Sequence, residues 1–448
     1  MTAKQYFGTD GIRGRVGHWP ISADFMVRLG WAAGRVLTNE QRRSVVIGKD
    51  TRVSGYMFES ALEAGLLAAG ADVVLLGPLP TPGIALITRQ SQAAAGIVIS
   101  ASHNPYTDNG IKFFDHRGEK LADAVELALE QALGDAFHDG HGSEPGKAAR
   151  HSEAPEDYLR FCLSTLPQRL DLSGLEIVLD CAHGACYKVA PELFARLGAR
   201  LSTIGTEPDG RNINREVGST HPQALIDAVT GRGADLGIAF DGDGDRVLMV
   251  DRHGQLVDGD QLLYVLAAAE KAAGRLASGA GVVGTVMSNL GLELALQKQG
   301  IALHRAAVGD RHVHRALHER GWRLGGESSG HLIGLDWHST GDGMISALHV
   351  LLGLQAANRS LDEMVAAVEK CPQVMINVAV AQPGRVSQDE VIAKAARTAE
   401  LALADRGRVI LRASGTEPLV RVTVEGLDQA EVQMQAEQLA EVVRTRLT

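Results

Sequence analysis

A serine loop near residue 100 is the first part of this sequence whose residues could do chemistry. The loop has the sequence SASHNP at residues 100–105 and follows the apolar run GIVI at residues 96–99. A buried strand that ends in a tight, polar, proline-closed loop holds the Ser102 hydroxyl rigidly at the edge of a sheet. His103 beside it could orient the loop or stabilise a phosphate, and Lys112 could place a positive charge nearby.

An acidic loop comes about 140 residues later and has the sequence DGDGDR, after an apolar run at residues 236–240. Carboxylates at alternating positions with glycines between them suit a hard divalent cation, because the small residues let the backbone wrap around the ion. An EF-hand is excluded, since its sixth and twelfth positions are arginine here. Few protein ligands leave coordination positions open, which favours Mg²⁺ bridging to a phosphate oxygen. With Ser102, the expected ligands Asp241, Asp243 and Asp245 indicate phosphoryl transfer through a phosphoserine.

Two further loops could bind the substrate. The sequence GESSG at residues 326–330 matches the nucleophile elbow of α/β-hydrolases, but the residues after it read as extended rather than helical. A polar loop that grips sugar hydroxyls through Glu327 and Ser329 fits better. The sequence RASGTEP at residues 412–418 offers a planar guanidinium, hydroxyls and backbone N–H groups to a phosphate. Its candidate phosphate-binding residues are Arg412, Ser414, Gly415, Thr416 and, on the strand that leaves the loop, Arg421.

The elements that must position these loops repeat a common plan three times. In each unit strands alternate with helices, and a glycine closes the helix as a left-handed C-cap would. The serine loop, the acidic loop and the GESSG loop each follow the third strand of their unit. Because ligands in open α/β sheets gather beyond the carboxyl ends of strands, three such units could direct three equivalent loops into one cleft.

The sequence predicts an α/β protein of three similar domains with mixed sheets and a smaller α+β C-terminal domain around one central cleft. A polar, Gly-rich stretch at residues 139–156 suits a linker or surface loop, and the pattern changes after residues 370–372. The predicted domains are 1–155 with the serine loop, 156–255 with the metal loop, 256–370 with the sugar loop and 371–448 with the phosphate loop.

Composition excludes several classes of protein. A formal net charge of −10 argues against nucleic acid or an anionic membrane as the main partner. The N-terminus has no apolar signal region and no apolar run is long enough to span a bilayer, so we expect a cytoplasmic protein. Four cysteines in 448 residues do not make a disulfide framework, and buried thiols are expected. The pair Cys181 and Cys186 with His183 lacks a second Cys/His pair for zinc.

Taken together, the loops resemble those of the α-D-phosphohexomutase superfamily over essentially the whole chain. The motifs that carry the resemblance are GTDGIRG at residues 8–14, SASHNP followed by DNGIKFF at 108–114, TVMSNLG at 285–291 and RASGTEP. Within the superfamily, the chain is most similar to the bacterial phosphoglucosamine mutases. One departure is His312, where the family often has tyrosine.

The resemblance implies an isomerase that moves a phosphoryl group between O6 and O1 of glucosamine phosphate through phospho-Ser102 and a 1,6-bisphosphate. It implies one Mg²⁺ per subunit on Ser102, Asp241, Asp243 and Asp245, a sugar 1,6-bisphosphate primer and a possible homodimer. Catalytic residues carried over from the family are Ser102, His103, Lys112, Arg13, Arg246 and His331, and substrate-binding residues are Thr9, Glu327, Ser329, Arg412, Ser414, Gly415, Thr416 and Arg421. Either Lys112 or His331 could be the general acid/base.

Three alternatives remain open. A phosphomannomutase/phosphoglucomutase would use the same residues on other sugars. A haloacid-dehalogenase-like phosphatase would use Asp241 as nucleophile and Asp243 as acid, but leaves the serine and phosphate loops without a function. A non-catalytic sugar-phosphate-binding protein would not need the metal loop.

Overall fold

Four β-sheets follow one another along the chain in the computed structural model, which describes residues 4–8, 10–134, 144–277, 279–414 and 418–447. The first sheet has the order β1-β5-β4-β2-β3-β6, with β2 parallel to β3 and β4 and with β5 antiparallel to both of its neighbours. Its strands are β1 (Ile12–Arg15), β2 (Ser44–Lys49), β3 (Asp72–Pro78), β4 (Ala95–Ile99), β5 (Asp108–Asp115) and β6 (Ala148–Arg150). The helices of this part are α1 (Ala23–Leu37), α2 (Val53–Ala68), α3 (Thr81–Gln90) and α4 (Asp123–Leu133).

The second sheet has the order β11-β10-β9-β7-β8. Helix α5 (Ala154–Ser164) precedes it, and its elements are β7 (Glu176–Asp180), α6 (Val189–Arg196), β8 (Arg200–Ile204), α7 (Gln223–Arg232), β9 (Leu236–Phe240), β10 (Val247–Asp251) and β11 (Leu256–Val257). Strand β9 is apolar and buried along its whole length, and β7 is buried from Ile177 to Asp180, as expected when helices cover both faces of a parallel core.

The third sheet has the order β13-β12-β14-β15, and the fourth the order β16-β18-β17. The third domain contains α8 (Gly259–Ala272), β12 (Gly281–Thr285), α9 (Leu290–Lys298), β13 (Ala302–Ala306), α10 (Asp310–Arg320), β14 (Leu324–Gly326), β15 (Leu332–Gly334), α11 (Gly343–Ala357) and α12 (Leu361–Val365). The fourth contains β16 (Gln373–Ala379), α13 (Glu390–Leu403), β17 (Gly407–Ala413), β18 (Leu419–Gly426) and α14 (Gln429–Leu447). Short 3₁₀ turns lie at Ala185–Tyr187, Pro383–Ser387 and Ala404–Arg406.

This architecture confirms the predicted fold class, with three mixed α/β sheets and a fully antiparallel fourth. The glycines that follow α2, α6 and α9 all have left-handed φ values, as predicted: Gly70 +86°, Gly198 +91° and Gly300 +65°. In each of the first three domains the predicted chemical loop joins a strand to an antiparallel neighbour, namely β4 to β5, β9 to β10 and β14 to β15.

The structure differs in part from the prediction of a linker or surface loop at residues 139–156. Residues 148–150 form β6, which pairs in parallel with the edge of β3. All three of its side chains are exposed, so the pairing uses backbone hydrogen bonds and leaves no apolar pattern in the sequence. Residues 139–143 lie outside the described part of the chain. The domain boundaries at 155, 255 and 370 stay predictions.

The first three domains share buried apolar residues, whereas the fourth domain has a core of its own. One continuous apolar cluster runs through the first three domains, from Val46 to Val368, and the fourth domain has clusters made of its own residues between Val378 and Leu447. All four cysteines are buried, as expected. No helix in the described ranges combines the length and apolarity that crossing a membrane requires.

Candidate active site

Ser102 lies at the turn between β4 and β5, almost fully buried, with a left-handed φ of +51°. Such a φ is strained for a residue other than glycine and persists only where surrounding contacts impose it. Its Oγ donates to Asp241 Oδ2 at 2.5 Å and lies 3.4 Å from His103 Nδ1, and its backbone N–H donates to Ser100 Oγ at 2.9 Å. The hydroxyl is therefore held at the acidic loop of the second domain.

Arg52 stabilises this conformation through hydrogen bonds to the backbone of the serine loop. Its guanidinium is fully buried and donates to the carbonyl oxygens of Ser102 (2.9 Å), Asn104 (2.8 Å) and Asp108 (3.1 Å), and also to that of Pro105. Its Nε donates to Asp50 Oδ2 at 2.8 Å, and the same carboxylate accepts from Ser100 Oγ at 2.6 Å. Asn214 of the second domain also donates to the Ser102 carbonyl, at 2.9 Å.

The sequence analysis missed these supporting residues. A signal was available, because the charged run KDTR at residues 49–52 begins at the carboxyl end of the apolar strand β2. All four of these residues are buried, including the charged Lys49, Asp50 and Arg52. Asn214 carried no such signal, since it lies in a loop more than a hundred residues away from the serine.

Asp241, Asp243 and Asp245 are all buried and offer carboxylate oxygens within 4.8 Å of one another. Burial raises the pKa of Asp241 well above its usual range, and Asp245 and Asp243 raise it further by repulsion. Asp243 Oδ1 and Asp245 Oδ1 are buried with no hydrogen-bond partner. Orphaned carboxylate oxygens in a donor set made only of oxygen fit a hard divalent cation such as Mg²⁺.

Close approach of the acidic loop to the serine loop depends on Gly242. A Cβ at this position would lie 2.5 Å from the Ser102 carbonyl oxygen and 2.8 Å from Asn214 Nδ2. Thr81, at the start of α3, fixes the acidic loop through two hydrogen bonds. Its Oγ1 donates to Asp243 Oδ2 at 2.7 Å and its backbone N–H to the Asp243 carbonyl at 2.9 Å.

Lys112, on β5, is buried among the acidic groups of both loops. Its Nζ lies 2.8 Å from Asp243 Oδ2, 3.2 Å from Asp10 Oδ2 and 3.4 Å from Asp245 Oδ2. Burial alone would lower the pKa of this ammonium, but the three carboxylates together raise it above its ordinary value. Lys112 is therefore a fixed positive charge at neutral pH.

The other predicted catalytic residues surround this centre. Burial, followed by the charges of Arg246 and Arg13, lowers the pKa of His103 to about 4, so its imidazole is neutral at pH 7. Arg13 pairs with Asp10, and the Arg246 Nε lies 3.8 Å from Asp245 Oδ1.

The sugar loop of the third domain is bound to the acidic loop. Gly330 accepts from the backbone N–H of Val247, the first residue of β10, at 3.0 Å. Glu327 Oε1 accepts from the Gly309 N–H at 2.9 Å, and Ser329 lies half-buried in the same turn.

His331 completes the junction between these loops. The ring is buried, with Nδ1 3.7 Å from Asp245 Oδ1 and Nε2 3.6 Å from Asp310 Oδ2. Burial alone would lower the pKa of His331, but Asp245, Asp310 and Glu327 raise it overall. Its Nε2 has no hydrogen-bond partner.

A cavity of about 490 Å³ lies where these loops meet, a size that suits a small-molecule ligand. It is lined by residues of the first three domains, including His331, Glu327, Asp245 and Gly309. Five cationic side chains gather in this lining, against the negative net charge of the chain: Lys4, Arg13, Arg246, Arg311 and Arg315.

The predicted phosphate-binding residues lie on the fourth sheet. Arg412 on β17 and Arg421 on β18 are directly opposite in the strand register, and the Ser414 N–H donates to the Leu419 carbonyl at 2.9 Å. Among the residues that the structure describes, none from this domain lines the 490 Å³ cavity. Thr9, Gly415 and Thr416 lie outside the described ranges.

Comparison with known families matches most of the chain to one family. The description "Phosphoglucomutase/phosphomannomutase" matches four times, with alpha/beta/alpha domain I at residues 4–137, domain II at 156–254, domain III at 258–371 and the C-terminal domain at 375–442.

Curated relatives and solved structures agree with this assignment. The phosphoglucosamine mutases of Marinobacter nauticus and Pseudomonas syringae are 56% and 54% identical over 448 and 445 residues, covering 99% of both chains in each comparison. A phosphoglucomutase/phosphomannomutase family protein from Burkholderia thailandensis matches with a TM-score of 0.82 and 25% identity, over 99% of this chain and 98% of that one.

The Aspergillus fumigatus N-acetylphosphoglucosamine mutase, solved with GlcNAc-6P and magnesium, has the same fold. Its TM-score is 0.69 at 18% identity, over 100% of this chain and 96% of that one. The proteins that match this chain in sequence and in structure are phosphohexomutases, which are isomerases. The chain therefore belongs to the phosphoglucomutase/phosphomannomutase family and, within it, to the phosphoglucosamine mutases.

Proposed function

We propose that this protein interconverts glucosamine 6-phosphate and glucosamine 1-phosphate through phospho-Ser102 and glucosamine 1,6-bisphosphate. The observation that carries the proposal is the buried Ser102 hydroxyl, 2.5 Å from Asp241 of the acidic triad, whose third member, Asp245, lines a cavity rich in arginine. The amino sugar follows from relatives at about 55% identity that carry the name phosphoglucosamine mutase.

Each half-reaction is one phosphoryl transfer. In the first, O1 of glucosamine 6-phosphate attacks the phosphorus of phospho-Ser102, the P–Oγ bond breaks, O1 loses its proton and Oγ gains one. The bisphosphate then turns end for end. In the second, Ser102 Oγ attacks the phosphorus on O6, loses its proton to the site, and O6 leaves with one, so that protons balance over the cycle.

One Mg²⁺ per chain would be held by Asp241, Asp243 and Asp245 and by the phosphorylated Ser102. The bound ion neutralises charge on the transferring group, which is where most of the acceleration of such transfers arises. Lys112, Arg13 and Arg246 add fixed positive charge around the same group. A hexosamine or hexose 1,6-bisphosphate primes the serine.

We assign the mobile proton to His331 rather than to Lys112. His331 lines the cavity and its Nε2 lacks a hydrogen-bond partner, whereas the Lys112 ammonium is surrounded by three carboxylates. A proton carrier must reach the sugar oxygen, which an enclosed ammonium cannot do. His103, neutral at pH 7, orients the serine loop.

Substrate recognition is divided between separate parts of the chain. Glu327 and Ser329 would bind sugar hydroxyls in the cavity, and Thr9 would be a further substrate-binding residue. The phosphate distant from Ser102 would be bound by residues of the fourth domain: Arg412, Ser414, Gly415, Thr416 and Arg421. That domain must accept either end of the bisphosphate, and its separate apolar core suits a body that moves as a unit while the intermediate turns.

The product would feed the synthesis of UDP-N-acetylglucosamine and cell-wall precursors. We also propose a cytoplasmic, homodimeric enzyme with domains at 1–155, 156–255, 256–370 and 371–448.

The deciding experiment measures isomerisation of glucosamine 6-phosphate with Mg²⁺ and a catalytic amount of sugar 1,6-bisphosphate, beside mannose and glucose phosphates. We expect the highest kcat/KM for the amino sugar. A preference for mannose or glucose phosphate would make the protein a phosphomannomutase/phosphoglucomutase, and binding without turnover on any sugar would leave a sugar-phosphate-binding protein. An aspartyl phosphate labile to hydroxylamine, with net phosphate release, would indicate the phosphatase alternative.

A further inference from the structure

A second group of potential metal ligands lies apart from the acidic triad, where the first domain meets the third. Glu119 follows β5 of the first domain, and His314 and His318 lie on α10 of the third. A ligand atom from each of the three residues lies within 4.8 Å of the other two. The proposed mutase activity uses none of these side chains.

The two histidines are placed as a pair by the helix. Residues four apart lie on the same helix face, and the rings of His314 and His318 have centroids 4.6 Å apart. Burial, followed by the charge of the neighbouring His318, lowers the pKa of His314.

Glu119 is held opposite this pair by a docked turn. The Gly118 carbonyl accepts from Ser339 Oγ at 2.7 Å, and a Cβ at Gly118, whose φ is +73°, would lie 2.6 Å from the Ala85 carbonyl oxygen. Glu119 Oε2 pairs with Arg117 Nη2 at 2.9 Å, but the Arg117 side chain is 62% exposed, so this ion pair is weak and can be exchanged for a metal.

We propose that Glu119, His314 and His318 form a binding site for a divalent transition metal of the zinc class. Two imidazole nitrogens and one carboxylate oxygen suit Zn²⁺, Co²⁺, Ni²⁺ or Cu²⁺, whereas Mg²⁺ prefers the oxygen-only triad. Tetrahedral Zn²⁺ needs ligand atoms roughly 3.3 Å apart, so the group must contract by at most about 1.5 Å. The exposed His318 side chain is free to supply that movement, and a water completes the coordination.

A cation at this site would connect the first and third domains beside the active-site cleft. The adjoining cavity, about 270 Å³, is lined by Glu119 and His314 together with His331. Lys120, the next residue after Glu119, already bridges these domains, with its Nζ 2.5 Å from Asp310 and paired with Asp10. The metal would add a second link across the same interface and raise the melting temperature, because it binds the folded chain.

The test titrates the purified full-length protein with Zn²⁺ by calorimetry in saturating Mg²⁺, which occupies the triad. We expect one Zn²⁺ per chain, an upward shift in Tm, and a Co²⁺ absorption spectrum typical of nitrogen ligands. H318Q should weaken Zn²⁺ binding at least tenfold, and E119Q should weaken it as well. The matched control H253Q removes an exposed histidine in the second domain and should bind as the wild type does.

Mutase activity without zinc should be unchanged in H318Q, which shows that the variant is folded. The triad variant D243N should keep the Zn²⁺ site. Zn²⁺ binding that H318Q and E119Q leave unchanged, binding that D243N abolishes, or no Zn²⁺ bound in the presence of Mg²⁺ would each overturn the proposal.

Discussion

At the scale of single residues, Ser102 is positioned mainly by its backbone. Its N–H and its carbonyl are held by Ser100, Arg52 and Asn214, while its hydroxyl contacts Asp241 and His103. The side chain can therefore change its chemical state, from hydroxyl to phosphate ester, without altering the contacts that fix the loop.

Replacement of Ser102 by alanine tests this division. S102A should lower kcat by at least about 10⁴-fold, as expected for loss of a nucleophile, and leave the urea midpoint almost unchanged. Wild-type protein incubated with a sugar 1,6-bisphosphate should gain the mass of one phosphoryl group, and S102A should not. The matched control S164A, on the exposed face of α5, should be phosphorylated normally. Near-normal turnover by S102A would exclude the phosphoserine.

Arg52 is the residue whose loss should most disturb the serine without touching the substrate. A lysine in its place cannot donate to Asp50 and to four carbonyl oxygens at once, so R52K leaves buried acceptors unpaired. We expect a loss of about 3 kcal/mol of unfolding free energy and a lower kcat at nearly unchanged KM. Denaturation and steady-state kinetics measure both, beside the exposed R28K as control. An unchanged kcat in R52K would show that the serine loop keeps its conformation without the hydrogen bonds of Arg52.

At the scale of elements, the site is a set of strand-to-strand connections brought into contact. Each of the three loops follows a buried strand and returns antiparallel, so its residues are presented at the carboxyl edge of its sheet. The contacts between loops are largely made by backbone: Thr81 N–H to the Asp243 carbonyl, and Val247 N–H to the Gly330 carbonyl. Backbone contacts of this kind require small residues where two loops approach.

Gly242 is such a position. In G242A the new Cβ would meet the Ser102 carbonyl oxygen at 2.5 Å, so the acidic loop must retreat from the serine loop. We expect kcat to fall and the Mg²⁺ concentration for half-maximal activity to rise, both measured in the same assay. The control G231A adds a methyl on α7 with nothing within 4 Å, and should stabilise the protein by about 0.5–1 kcal/mol. Wild-type Mg²⁺ dependence in G242A would show that the loops need not touch.

At the scale of the whole molecule, the first three domains share one core and also share buried polar contacts. The Asp342 carboxyl caps α11 by accepting from the Ile345 N–H at 2.9 Å, and it accepts from the Tyr158 hydroxyl of α5 at 2.8 Å. Burial raises the pKa of Asp342 to about 7. The group joins elements that lie nearly two hundred residues apart.

The pH dependence of the free energy of unfolding should reflect the titration of the Asp342 carboxyl. Its pKa in the unfolded chain is near 3.9, as a generic value. The folded state therefore binds the proton more tightly, so the stability that Asp342 confers is full below pH about 4 and is lost as the pH rises through about 7. Asparagine cannot ionise, so D342N should gain up to about 4 kcal/mol relative to wild type between these values.

Urea unfolding followed by fluorescence across this pH range measures the difference between D342N and wild type. The control D336N removes an exposed carboxylate and should track the wild type at every pH. Parallel pH profiles for D342N and wild type would show that the Asp342 carboxyl does not titrate in this range.

The sequence by itself was sufficient to predict the fold class, the three repeated units and the loops that contain Ser102, Asp241 and Glu327. Apolar strands, glycine caps and residue types at short spacing are local properties, so they can be read without the tertiary structure. The family resemblance added the candidate roles of residues such as His331 and Arg246.

Only the tertiary structure decided which groups meet. The sequence placed the positive charge of Lys112 only near the serine loop, whereas the structure buries it among three carboxylates. Asn214 holds the serine loop from another domain, and Glu119 meets the α10 histidines almost two hundred residues away. Strand β6 pairs through backbone alone. Such contacts depend on the packing of distant segments, and no local pattern in the chain encodes which distant segment a side chain will face.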